Sequence, residues 1–201
     1  MKLMKTYPAL SAHATPDQFA DWLRVWIAAP INGSEPQQQA QRLMAVQELS
    51  KLDQAFPVYG YRALALDKSE VTTWTDLDKF LNGDFPESYA FSIGAVGRYL
   101  KSTGGAADPS QYNVIFAGRV PTPNWMVNVN ALIYRLPVEE IEKPCADGRS
   151  LRDHLIQEEL IAVPGTLKHM LQNGCLYTVG YTEPGSTEIC RTPLRQTPFG
   201  G

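Results

Sequence analysis

The stretch Val58–Leu66, VYGYRALAL, sets a single arginine, Arg62, inside an apolar run with the character of a strand. A guanidinium is expensive to bury in such a place unless something anionic meets it. Arg62 therefore reads as the anchor for an anionic group. Two later stretches carry other reactive side chains. In AFSIGAVGRYL, Ser92 stands at a turn that opens a helix, where its hydroxyl can cap the helix and still serve a site. In IQEELIAVPGT, Glu158 and Glu159 stand at the start of a strand. Side chains alternate along a strand, so Gln157 and Glu159 are expected on one face and Glu158 on the other. A register shift of one residue makes Glu158 the rival of Glu159. Each group also has a plain structural reading. Arg62 suits a surface ion pair at a strand edge, Ser92 a helix cap, and the Glu158–Glu159 pair a solvated loop end.

The elements that must position these groups follow from spacing. Phe19, Trp22, Leu23, Trp26 and Ile27 predict a helix from Asp17 to Ala28. Ser34 and Gln37 make a capping box for a second helix running to about Asp53, with Leu43, Val46, Leu49 and Leu52 on one face. TDLDKFLNG reads as a short helix capped by Thr75 and stopped near Gly83. The helix after Ser92 turns Val96, Tyr99 and Leu100 inward, and STGGAADPSQ is a loop. YNVIFAGRV, WMVNVNALIYRL, ELIAVPG and CLYTVGY are strand candidates. IEKPCADGRSLRDHL reads as a long polar connection, and RTPLRQTPFGG as a tail lacking regular structure. Helices and strands are segregated, which indicates an α+β fold with a mainly antiparallel sheet. The expected organisation is a single domain with a helical N-terminal part (1–56), a β core (57–190) and a tail (191–201).

Taken in order, the arginine of VYGYRAL, the aromatic-Ser pair before a helix and Gln-x-Glu before LIAVPGT resemble the Arg–Ser–Glu class of mono-ADP-ribosyltransferases. That class includes bacterial toxins and T4-type phage transferases. The resemblance covers roughly Val58 to Tyr181, and its most specific piece is the glutamate followed by Pro164-Gly165-Thr166. It implies a split antiparallel sheet with N-terminal helices and NAD as the substrate. It also implies an oxocarbenium-like transition state, stabilised by a carboxylate fixed beside the ribose. By resemblance, Glu159 takes that role and Ser92 orients it. Arg62 holds the dinucleotide phosphates or adjoining ribose, and the backbone at Ala63 reads the nicotinamide amide. Tyr61 and Phe91 flank the cofactor, and the loop Gly104–Gln111 folds over it. Gln157 stands where members that modify arginine usually carry a second glutamate. An amide orients a neutral acceptor but is no base at neutral pH. This points away from arginine as the acceptor, toward another protein side chain or a nucleic acid base. An NAD glycohydrolase and a non-catalytic binding protein on the same fold are the alternatives.

The 201 residues are 44% hydrophobic and 19% charged, enough for a full core. A net charge of −3 gives no general attraction to nucleic acid. The three cysteines, Cys145, Cys175 and Cys190, have no metal or redox spacing, so no metal site is expected. The N-terminus lacks a signal-peptide core and no apolar run reaches the length of a membrane span. The expectation is a cytoplasmic protein with no membrane partner.

Overall fold

The computed structural model describes residues 15–28, 36–50, 59–67, 69–71, 73–81, 86–103, 111–119, 126–145, 148–183 and 185–195. Among them the chain is mixed α and β, with seven strands and eight α-helices. It divides into two compact units, Met1–Ala55 with Met126–Leu155, and Phe56–Trp125 with Ile156–Gly201.

The first unit is mainly helical. Helices α1 (Pro16–Ala28) and α2 (Pro36–Ser50) bury Phe19, Leu23, Trp26, Val46 and Leu49. The stretch expected as the strand WMVNVNALIYRL is a strand only at Met126–Asn128 (β4). It then becomes helix α5 (Val129–Ile133), because the Asn128 side chain accepts the Ala131 N–H at 2.9 Å and Val129, Leu132 and Ile133 are buried at helical spacing. The polar connection is also more ordered than its composition suggests. It holds α6 (Val138–Glu142), a Pro144–Ser150 bridge and α7 (Leu151–His154), which Ser150 and Asp153 start with a capping box.

The second unit carries an antiparallel sheet. Its strands are β1 (Tyr59–Asp67), β2 (Glu87–Ala90), β3 (Gln111–Arg119), β5 (Glu159–Ala162), β6 (Leu176–Thr182) and β7 (Cys190–Arg195). They lie in the order β5-β2-β1-β3-β6-β7, and each registered pair is antiparallel. β7 occupies part of the tail that was expected to lack structure; Arg195 pairs with Thr178. The cap of helix α3 (Trp74–Phe80) lies two residues earlier than expected. Thr73, not Thr75, accepts the Asp76 N–H while the Asp76 carboxylate accepts the Thr73 N–H. Helix α4 (Ile93–Thr103) follows β2, and α8 (Thr166–Gln172) follows β5.

The ladder is uneven. β1 pairs with β3 over nine residues, from Tyr59–Arg119 to Asp67–Gln111. Among the described residues β1 and β2 share a single registered pair, Tyr61 with Ala90. On one face, Ala90 and Tyr61 pack with Ala95, Val96 and Leu100 of α4. Burying Val96 and Leu100 contributes roughly 1.5–3 kcal/mol each, which fixes α4 over the point where β1 and β2 meet.

Candidate functional site

Arg62 follows Tyr61, the residue of β1 that pairs with Ala90 of β2. Its side chain lies over the Tyr89 ring, with the guanidinium carbon 5.6 Å from the ring centre, and Nη1 donates to the Ser88 carbonyl oxygen at 3.2 Å. Its Nε is buried and has no hydrogen-bond partner. Gly60 leaves room for that ring, since a Cβ there would lie 3.0 Å from Tyr89 Cδ1. The arginine thus sits where two strands meet only briefly, with donor capacity left for an anion.

The Tyr89 hydroxyl donates to Glu87 Oε2 at 2.5 Å. Burial raises the phenol well above its ordinary pKa and the Glu87 charge adds to this, while Arg62 opposes it. The phenol therefore stays a donor. The same Glu87 oxygen accepts the Leu167 N–H at 2.8 Å, and Thr166 Oγ1 donates to the Val163 carbonyl at 2.7 Å. Pro164-Gly165-Thr166 is thus the turn that docks α8 onto β2, with Gly165 at φ 78°.

The register of β2 with β5 matters because it places Glu159 opposite Ala90 and Ser88 opposite Ile161. Glu159 is 5% exposed. Ser88 Oγ donates to Glu159 Oε1 at 2.5 Å. Ser92, the residue expected to orient Glu159, does something else. Its hydroxyl accepts the Ala95 N–H at 3.1 Å, capping α4, and donates to Glu158 Oε2 at 2.8 Å. The structure thus links Glu159 to the Ser88 hydroxyl and Arg62 to the Ser88 backbone carbonyl on adjacent strands, and joins Ser92 to Glu158.

Two further points depart from the strand reading. Gln157 ends a 3₁₀ turn, Leu155–Gln157, and β5 begins only at Glu159. The two-residue alternation therefore does not link Gln157 to Glu159. Phe91 is half-buried and its N–H donates to the Glu158 carbonyl at 3.1 Å. Tyr61 and Ala63 are partly buried against the α4 cluster. Residues 104–110, expected to fold over the cofactor, lie outside the described residues.

Tyr99 belongs to the same place, though spacing alone marks it as core. Burial raises its phenol pKa, and it feels both the lowering effect of Arg62 and the raising effect of Glu159. It therefore lies within electrostatic reach of both charges. Along α4 runs a cleft of about 590 Å³ whose lining includes Gly94, Gly97, Arg98, Lys101, Ile189 and Arg191. Among the described residues no group of three or more His, Cys, Asp or Glu side chains could hold a metal ion. Among them, too, no helix is long and apolar enough to cross a membrane. In comparisons with family models, curated proteins and solved structures, nothing matches the chain.

Proposed function

We propose that the chain is a mono-ADP-ribosyltransferase of the Arg–Ser–Glu class, which splits NAD and passes ADP-ribose to a protein side chain. The observation that carries this is the linkage of three polar residues from separate parts of the chain. Ser88 donates its hydroxyl to Glu159, and its carbonyl accepts from Arg62. The short pairing of β1 with β2 supports a dinucleotide lying across that junction.

In this reading Arg62 holds the diphosphate by charge-assisted bonds, and the Ala63 backbone meets the nicotinamide amide. Glu159, oriented by Ser88, bonds the ribose 2′-OH. The bond from ribose C1′ to the nicotinamide nitrogen breaks, and its electron pair leaves with nicotinamide. Positive charge spreads over the ribose, where the fixed carboxylate is worth most. The acceptor then bonds to C1′ and gives its proton to solvent. Gln157, an amide, suits a neutral acceptor better than a guanidinium.

Incubation with labelled NAD and a cell extract tests the reading. Wild type is expected to label a macromolecule, and Glu159→Gln or Arg62→Ala to label it about 10²-fold more slowly. Equal labelling by the variants overturns the assignment. Free ADP-ribose with nothing labelled makes the chain an NAD glycohydrolase. With no turnover at all, failure of NAD to raise the melting temperature makes it a non-catalytic protein, because a ligand at about 100 times its Kd adds ~2.7 kcal/mol.

A further inference from the structure

Glu158 is the only described residue other than glycine with a positive φ, 50°. A residue with a Cβ adopts that conformation only when its surroundings hold it there. Here the hold comes from α4 and from the turn leading to β2. Ser92 Oγ donates to Glu158 Oε2 at 2.8 Å, and Arg98 Nη2 donates to Oε1 at 2.6 Å. The Glu158 carbonyl accepts the Phe91 N–H at 3.1 Å. Arg98 also reaches back, its Nε donating to the Ile156 carbonyl at 2.8 Å. One guanidinium thus fixes the turn on both sides of Gln157. The two neighbouring carboxylates are divided between separate partners, Glu158 with Ser92 and Arg98, Glu159 with Ser88.

We propose that Glu158 is a positioning residue. Clamped by Ser92 and Arg98, it sets the backbone turn that aims Glu159 at Ser88, and it does not itself touch the substrate. The inference rests on the transferase reading for its catalytic consequence; the clamp itself stands on the geometry. It also separates the two adjacent glutamates, which the sequence leaves as rivals.

The test uses the full chain with Glu158→Gln, Glu158→Gly, Arg98→Gln and Glu159→Gln. Glutamine keeps a carbonyl oxygen that can accept from Arg98, and its NH2 can donate to the Ser92 hydroxyl. Glycine keeps the positive φ at no strain and removes the clamp. Nicotinamide release is followed against NAD concentration. Glu158→Gln is expected to keep kcat within about threefold of wild type, and Glu158→Gly and Arg98→Gln to lose about 10²-fold in kcat with little change in KM. If Glu158→Gln is as slow as Glu159→Gln, Glu158 is the catalytic carboxylate and the proposal fails. Wild-type kcat in Glu158→Gly overturns it as well. Should the wild type release no nicotinamide, the transferase reading fails and hydrogen exchange of the Phe91 amide judges the clamp. Exchange about tenfold faster in Glu158→Gly and Arg98→Gln supports it; unchanged exchange overturns it.

Discussion

A single hydroxyl separates Ser88 from alanine, and at this position it faces a buried carboxylate. Ser88 Oγ reaches Glu159 Oε1 at 2.5 Å, while the Ser88 backbone oxygen is taken by Arg62. Replacing the side chain leaves the second contact intact and removes the first. Ser88→Ala is therefore expected to slow nicotinamide release about tenfold or more, since misorientation of a reacting group is costly, while NAD still binds through Arg62. Steady-state kinetics with separate kcat and KM check this. A loss confined to KM would assign the Ser88 hydroxyl to binding rather than to orienting Glu159. Arg62 was conspicuous in the sequence as a charge in an apolar run, and Glu159 as a carboxylate at the start of one. Ser88 was not. It lies in a four-residue strand, and its partner is 71 residues away. Only the β2–β5 register brings the two together, and no local spacing encodes that. Ser92 was visible because it opens a helix, and that visibility pointed to the wrong glutamate.

The turn at Gly165 sets where α8 starts, and α8 in turn presents the Leu167 N–H to Glu87 of β2. Gly165 has φ 78°, a conformation that costs an L residue about 1–2 kcal/mol. Gly165→Ala is expected to lower stability by about that amount, read as a shift in the urea midpoint without a change in slope. An unchanged midpoint would show that the turn relaxes freely. At this scale the sequence reported most elements well. The helices around Trp26, Val46 and Val96 followed from apolar spacing, and β1, β3, β5 and β6 from their aliphatic runs. The misreadings have physical causes. Val127-Asn128-Val129-Asn130 alternates like a strand, but the Asn128 side chain accepts the Ala131 N–H and starts a helix instead. The polar run 142–154 looked like a connection because the ion pair and capping box that order it involve only charged and hydroxyl side chains. Arg152 pairs with Glu142, and Ser150 with Asp153.

On the scale of the whole chain, the candidate site belongs entirely to the unit Phe56–Trp125 with Ile156–Gly201. The other unit carries the clearest acid-sensitive contact. Arg24 Nη2 donates to Glu140 Oε2 at 2.6 Å and to the Glu140 carbonyl at 2.9 Å. The Arg24 hydrogen bond holds the Glu140 carboxyl below its usual 4.5. A carboxyl depressed in the folded state contributes stability above its unfolded value and loses it as pH falls through the folded one. Stability of this unit is therefore expected to be level near neutrality and to decline below 4.5, with Arg24→Ala shrinking the decline. Urea midpoints of both proteins across the acid range check this; parallel curves would remove the contact from the account. In the sequence the proposed function rests only on a pattern of types in order, arginine, serine, glutamate. What such a pattern lacks is contact between the groups; in the β-sheet the Ser88 hydroxyl donates to Glu159 and the Ser88 carbonyl accepts from Arg62. The central claim is that these three serve one dinucleotide. The most direct measurement is a crystal structure of the Glu159→Gln variant with NAD bound. The account predicts the nicotinamide ribose against residue 159 and Ser88, with the diphosphate on the Arg62 guanidinium. NAD seated anywhere that touches neither Arg62 nor residue 159 would contradict it.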